Sequence, residues 1–141
     1  MPFQIIYSSQ ATAPMSVPEL EKILVDARAG NEARNVTGAL VYVDGVFLQI
    51  LEGDESTVRG VMRNIAGDTR HTDVKVFHQA EVDARAFGSW RMAYVNATPE
   101  QLSAWAGLPG TATIESILSD LDRDPHRASG IARGMLEALA G

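Results

Sequence analysis

Residues 36–53 read VTGALVYVDGVFLQILEG. Asp44-Gly45 separates two apolar runs. It is a strong signal for a two-residue hairpin turn, because both residues tolerate positive φ. Val36–Val43 and Val46–Glu52 are therefore expected to be paired strands. The second run is apolar on both faces, with Val46, Leu48 and Ile50 on one and Phe47 and Leu51 on the other. Side chains alternate along a strand, so this one must be central and covered from both sides. Gln49 interrupts it, on the face of Phe47 and Leu51.

Working outward, Phe3–Ser9 reads as a strand with Phe3, Ile5, Tyr7 and Ser9 on one face. Ser16 and Glu19 form a capping box with Pro18 in the first turn. Leu20, Ile23, Leu24 and Ala27 then recur at helical spacing, and Gly30 is the expected stop. After the hairpin, Asp54 can cap a helix built on Val58, Val61, Met62 and Ile65. Val74–Ala80 and Trp90–Val95 read as two further strands joined by the irregular stretch EVDARAFGS. The resulting order, βαββαββ, predicts an α+β, ferredoxin-like sheet with two helices on one face.

Cover for the other face must come from beyond residue 96. Thr98, Pro99 and Gln101 start a helix carrying Leu102 and Trp105, which Gly107–Gly110 breaks. Ile114, Ile117, Leu118 and Leu121 suggest a second helix, Asp124-Pro125 another break, and Ile131, Met135 and Leu139 a third helix. The expected organisation is a sheet domain over 1–96 and a C-terminal helical cap over 97–141.

Composition narrows the function. Of 141 residues 45% are apolar and 21% charged, ordinary globular usage for one domain. No apolar run reaches membrane-spanning length, so no membrane partner is expected. The N-terminus has no basic region before its apolar run, so no signal peptide is expected and a cytoplasmic location follows. The net charge is −6 and the 12 basic residues are scattered, which argues against nucleic acid as a partner. With no cysteine there are no disulfides, thiolate metal sites or cysteine nucleophiles. His71, His78 and His126 lack the close spacing of a metal-binding helix, so no metal is expected.

The residues that fit a plain core least are Gln49 and Tyr7. A buried amide without partners costs about 1–3 kcal/mol. Taken alone, Gln49 is better read as a core glutamine bonded to backbone or water, and Tyr7 as a packed strand aromatic. A glutamine on a neighbouring strand is one natural partner for the tyrosine hydroxyl, and a polar ligand edge is another partner for the amide. Trp90 and Met92, two apart, are expected to share a face, and Met suits a movable contact. Asn31 after Gly30 reads as turn chemistry, and Asp68, Arg70 and His71 as a polar turn after the second helix.

Together these residues resemble the BLUF family, the sensors of blue light using flavin adenine dinucleotide. The resemblance runs from Phe3 to Tyr94. It rests on TGALVYVDGVFLQILEG, the D-x-R-H pattern at Asp68, Arg70 and His71, and the F-x-x-W-x-M pattern at Phe87, Trp90 and Met92. It implies a photoreceptor of the short single-domain type rather than an enzyme. FAD would be bound without a covalent link, FMN or riboflavin being able to substitute, and its ring would lie between the first two helices. Tyr7 would be the photochemical electron and proton donor, and Gln49 the amide joining it to the flavin edge. Asn31 would hold the ring's polar edge, Ile23 and Ile65 would sandwich the ring, and Asp68, Arg70 and His71 would lie near the ribityl chain and rim. Ser9, Trp90 and Met92 would relay the change at Gln49. One departure is Gly30, where many relatives carry a side chain able to touch the flavin. Transfer from Tyr7 through Gln49 would rearrange hydrogen bonds to the flavin and give a reversible red-shifted state. That signal would pass to a separate signalling protein or through a homo-oligomer.

Two other classes stay open. Small hydrolases of the acylphosphatase kind share the βαββαβ plan, but need glycine and basic groups in the loop after the first strand. Here that loop is SSQATAPMS, with neither. A light-independent interaction domain with a decayed site is the second, and the joint presence of Tyr7, Asn31 and Gln49 argues against it.

Overall fold

The computed structural model describes residues 1–108 and 113–140. In chain order it holds β1 (Phe3–Ala11), α1 (Val17–Arg34), β2 (Thr37–Val43), β3 (Val46–Gly53), α2 (Glu55–Ala66), β4 (His71–Glu81), β5 (Ala93–Tyr94), α3 (Pro99–Ala106), α4 (Ile114–Arg123) and α5 (Arg127–Ala140). The sheet order is β4-β1-β3-β2-β5. Its first four strands pair antiparallel and β5 pairs parallel to β2. This is the expected ferredoxin-like α+β arrangement.

The hairpin forms because Asp44 (φ 49°) and Gly45 (φ 79°) both take the left-handed backbone its two-residue turn requires. Every residue of β3 is buried. Its two faces feed two cores. Phe47 and Leu51 join Phe3, Ile5, Tyr7 and Leu40 beneath Ile23 and Leu24 of α1 and Val58 and Val61 of α2. Leu48 and Ile50 join Ile6, Val41 and Phe77 beneath Leu102, Ile117, Leu121, Ile131 and Met135 of the C-terminal helices. Both capping boxes form, Ser16 with Glu19 and Thr98 with Gln101. Gly107 ends α3 in the left-handed conformation (φ 74°), whereas Gly110 lies outside the described residues.

Four local expectations are corrected. Helix α1 does not stop at Gly30 but runs to Arg34, and the left-handed cap is Asn35 (φ 55°). A glycine inside a helix costs only about 1 kcal/mol, and the buried Asn31 beyond it anchors the last turn. Asn31 is therefore a helical residue, not a turn residue. Strand β4 begins at His71, so that histidine projects from a strand. Asp54 sits at the start of α2 without a side-chain capping bond and accepts from Ser56 Oγ at 2.8 Å instead. Finally, β5 spans only Ala93–Tyr94, so period-two alternation does not extend back to Trp90. Trp90 packs with Phe87 on the side of the C-terminal helices, while Met92 belongs to the core under α1 and α2. The two do not share a face.

Candidate functional site

Helices α1 and α2 enclose a cleft of about 200 Å³ above the sheet. Ile23 and Ala27 line it from α1, Val61 and Ile65 from α2, and Leu40, Phe47 and Gln49 from the sheet. Asn31 lines it at one helix end, and Asp68, Arg70 and His71 form a polar rim. Its buried polar side chains are Asn31 and Gln49. A second recess, about 490 Å³, lies between the hairpin turn, the loop after β1 and α4. Its polar side chains, among them Gln10, Asp44 and Glu115, are solvent-exposed, so it lacks a buried polar floor.

Strand register explains the central pair. Gln49 stands directly opposite Tyr7 on β1 and Leu40 on β2. The Tyr7 hydroxyl donates to Gln49 Oε1. Gln49 Nε2 donates to Met92 Sδ at 3.4 Å. A thioether is a weak acceptor, so the amide N–H group is held loosely beside the cleft. Tyr7 is fully buried, and burial pushes its phenol well above the ordinary range. Its proton stays on the oxygen in the resting state.

The polar groups around this pair are fixed individually. Asn31 Nδ2 donates to the Arg91 carbonyl at 2.6 Å, leaving Oδ1 to meet a donor. Ser9 Oγ lies 3.0 Å from His71 Nδ1, and the His71 ring packs against Phe47 at 4.8 Å between centroids. Burial holds the His71 imidazole below its ordinary value. Arg70 makes a two-pronged contact with Asp68, at 2.6 Å from its terminal nitrogen and 3.1 Å from Nε, and holds that carboxyl down to about 2.

The expected residues thus divide. Ile23, Asn31, Gln49, Ile65, Asp68, Arg70 and His71 line one cleft. Tyr7 and Met92 touch it through Gln49, and Ser9 through His71. Trp90 stands apart, on the other face of the sheet. Sequence reasoning passed over three features. Phe47 and Leu40 were core positions with nothing to mark them as cleft floor. Arg28 donates from Nε to the Met92 carbonyl at 2.9 Å, and an arginine on a helix surface gives no such signal. Glu52 is completely buried and accepts from the Ala86 and Phe87 amides at 2.8 Å and from Gln4 Nε2 at 2.9 Å. A carboxylate on a strand already read as covered on both faces was a legible sign of such a donor set.

Among the described residues no group of His, Asp or Glu gathers as a metal site, and no helix is long and apolar enough to cross a membrane.

A family model described as sensors of blue-light using FAD, BLUF, matches residues 3–93. The photoactivated adenylate cyclase subunit alpha of Euglena gracilis is 40% identical over 104 residues, 74% of this chain and 10% of that protein. The chain spans about a tenth of the length of the curated relatives it matches. Among solved structures, BlrB, a BLUF protein in its dark state, superposes with a TM-score of 0.77 at 25% identity over 96% of both chains. The BlsA ground state superposes with a TM-score of 0.70 at 27% identity over 87% of both chains.

Proposed function

The chain belongs to the BLUF family of blue-light flavin sensors, and from that premise we propose that Tyr7 and Gln49 are its photoactive pair and the cleft between α1 and α2 its flavin site. The observation that carries this is the buried Tyr7–Gln49 hydrogen bond whose amide end lines the cleft. The cleft suits a flavin in its parts. Ile23 and Ile65 offer apolar walls on facing helices, and Asn31 Oδ1 and the Gln49 amide offer polar partners for the edge of a ring. Asp68, Arg70 and His71 offer a polar rim to a ribityl chain.

A bound flavin supplies a strong one-electron oxidant when it absorbs blue light. Tyr7 is the donor: its phenol keeps its proton at rest and becomes a strong acid once oxidised. Gln49 Oε1 already accepts from that hydroxyl, so the amide is the path for the proton. When Tyr7 regains electron and proton, Gln49 is left rotated or tautomerised and presents a changed donor to the cleft. The phenol and amide relax together in the dark. Asn31 orients, the apolar walls exclude water, and Met92 follows the amide through its sulfur.

In this reading FAD is the resident flavin, with FMN and riboflavin as substitutes, because the walls and polar floor address the ring rather than the adenine. Residues 1–96 are the sensor and 97–141 its helical cap. The chain senses rather than catalyses. It works in the cytoplasm, with neither nucleic acid nor membrane as partner. Its signal goes to a separate effector or through a homo-oligomer. The named relative is a photoactivated cyclase subunit, which supports an effector downstream of such a sensor. The test is reconstitution of the purified protein with FAD, FMN and riboflavin, with spectra before and after blue light. Comparable binding of all three and a small reversible red shift are expected. A flavin that bleaches irreversibly, or fails to bind, contradicts the proposal.

A further inference from the structure

The stretch from Trp90 to Met92 has almost no ladder of its own, because β5 begins at Ala93 and is 2 residues long. Its backbone is held carbonyl by carbonyl instead. The Trp90 carbonyl accepts from Gly38 N–H at 3.1 Å, the Arg91 carbonyl from Asn31 Nδ2 at 2.6 Å, and the Met92 carbonyl from Arg28 Nε at 2.9 Å. Arg28 and Asn31 stand three positions apart on α1 and so project from one helix face. On its other side, Met92 accepts through sulfur from Gln49 Nε2 at 3.4 Å. A continuous line of contacts therefore runs from α1 through Met92 to the cleft amide.

The two α1 side chains are not equivalent. Asn31 is also a wall of the cleft, so removing it disturbs clamp and binding site together. Arg28 does not line the cleft. Its bond to the carbonyl is charge-assisted and stronger than a neutral one. Without it, Met92 loses a fixed backbone point and its thioether is free to leave the amide.

We propose that Arg28 is a positioning residue of the light response. By fixing the Met92 carbonyl it keeps the thioether on Gln49, sets the barrier to the amide's return in the dark, and passes any displacement of Met92 to α1. This rests on the role given to Gln49 above. In turning back, the amide must pass the sulfur that stands 3.4 Å from its nitrogen, so a thioether held in place hinders the turn and loss of the clamp speeds recovery.

The experiment times the return of the dark spectrum after blue light in FAD-loaded wild type, Arg28→Ala and Arg28→Lys. Arg28→Ala is expected to bind FAD normally and recover about tenfold faster, equivalent to ~1.4 kcal/mol of barrier. Arg28→Lys keeps a charged donor and is expected to recover within about threefold of wild type, under ~0.7 kcal/mol. In a Met92→Leu background Arg28→Ala should add almost nothing, because the sulfur it positions is gone. Should Arg28→Ala fail to hold FAD, Arg28→Met, which keeps the side chain's length without a donor, carries the same comparison. Unchanged recovery, equal acceleration by alanine and lysine, or a full effect in the Met92→Leu background overturns the proposal and leaves Gln49 in its role. A wild type without any light-induced shift overturns both.

Discussion

The two faces of β3 each bury a polar side chain, and they treat it differently. On the face toward the C-terminal helices, Glu52 is 0% exposed and both carboxylate oxygens are taken, by the amides of Ala86 and Phe87 and by Gln4. On the face toward α1 and α2, Gln49 is 7% exposed and has one phenol, one thioether and a cleft. A saturated buried group locks a fold, while an under-satisfied one beside a cavity can exchange partners. Glu52 pins the loop that leads to Trp90 and Met92, and Gln49 is the part left able to move.

Removing the lock should have the largest effect. Glu52→Ala strips the buried Phe87 amide of its acceptor, frees the Ala86 amide and Gln4, and should cost about 3 kcal/mol, read by urea denaturation. Removing the mobile group should cost less. Gln49→Leu keeps the face apolar but strands the Tyr7 hydroxyl, for about 1–3 kcal/mol, while abolishing the light response. If Gln49→Leu proved the more destabilising of the two, the contrast between the faces would be wrong.

A smaller change sharpens the cleft side. A side chain at Gly30 would meet nothing within 4 Å. Gly30→Ala should therefore stabilise α1 by about 1 kcal/mol without closing the site, seen as a higher Tm and retained flavin binding. The smallest effect is pH-dependent. Desolvation lowers the His71 imidazole below its ordinary value of 6.5, so the unfolded chain takes up its proton before the folded one does. Stability from this group is complete above that value and is lost as pH falls through the folded value. His71→Gln should flatten that decline in thermal melts collected between neutral and mildly acidic pH.

Much of this was legible because local and global signals agree. The double-sided apolar run of β3 demanded two covers, Asp44-Gly45 set the β2–β3 register that puts Gln49 opposite Leu40, and the capping boxes at Ser16 and Thr98 fixed two helix starts. What escaped depended on tertiary partners. Helix α1 passes through Gly30 because Asn31 is anchored on the Arg91 carbonyl beyond it. Trp90 and Met92 part company because Gly38 N–H, Asn31 and Arg28 replace the strand ladder that alternation assumes.

The most direct test of the photoactive pair is the light-minus-dark absorption spectrum of flavin-loaded Tyr7→Phe beside wild type. That variant removes one hydroxyl from a buried ring and keeps every wall of the cleft. A bound flavin is expected in both and a reversible red shift in wild type alone. A red shift of wild-type size in Tyr7→Phe would contradict it.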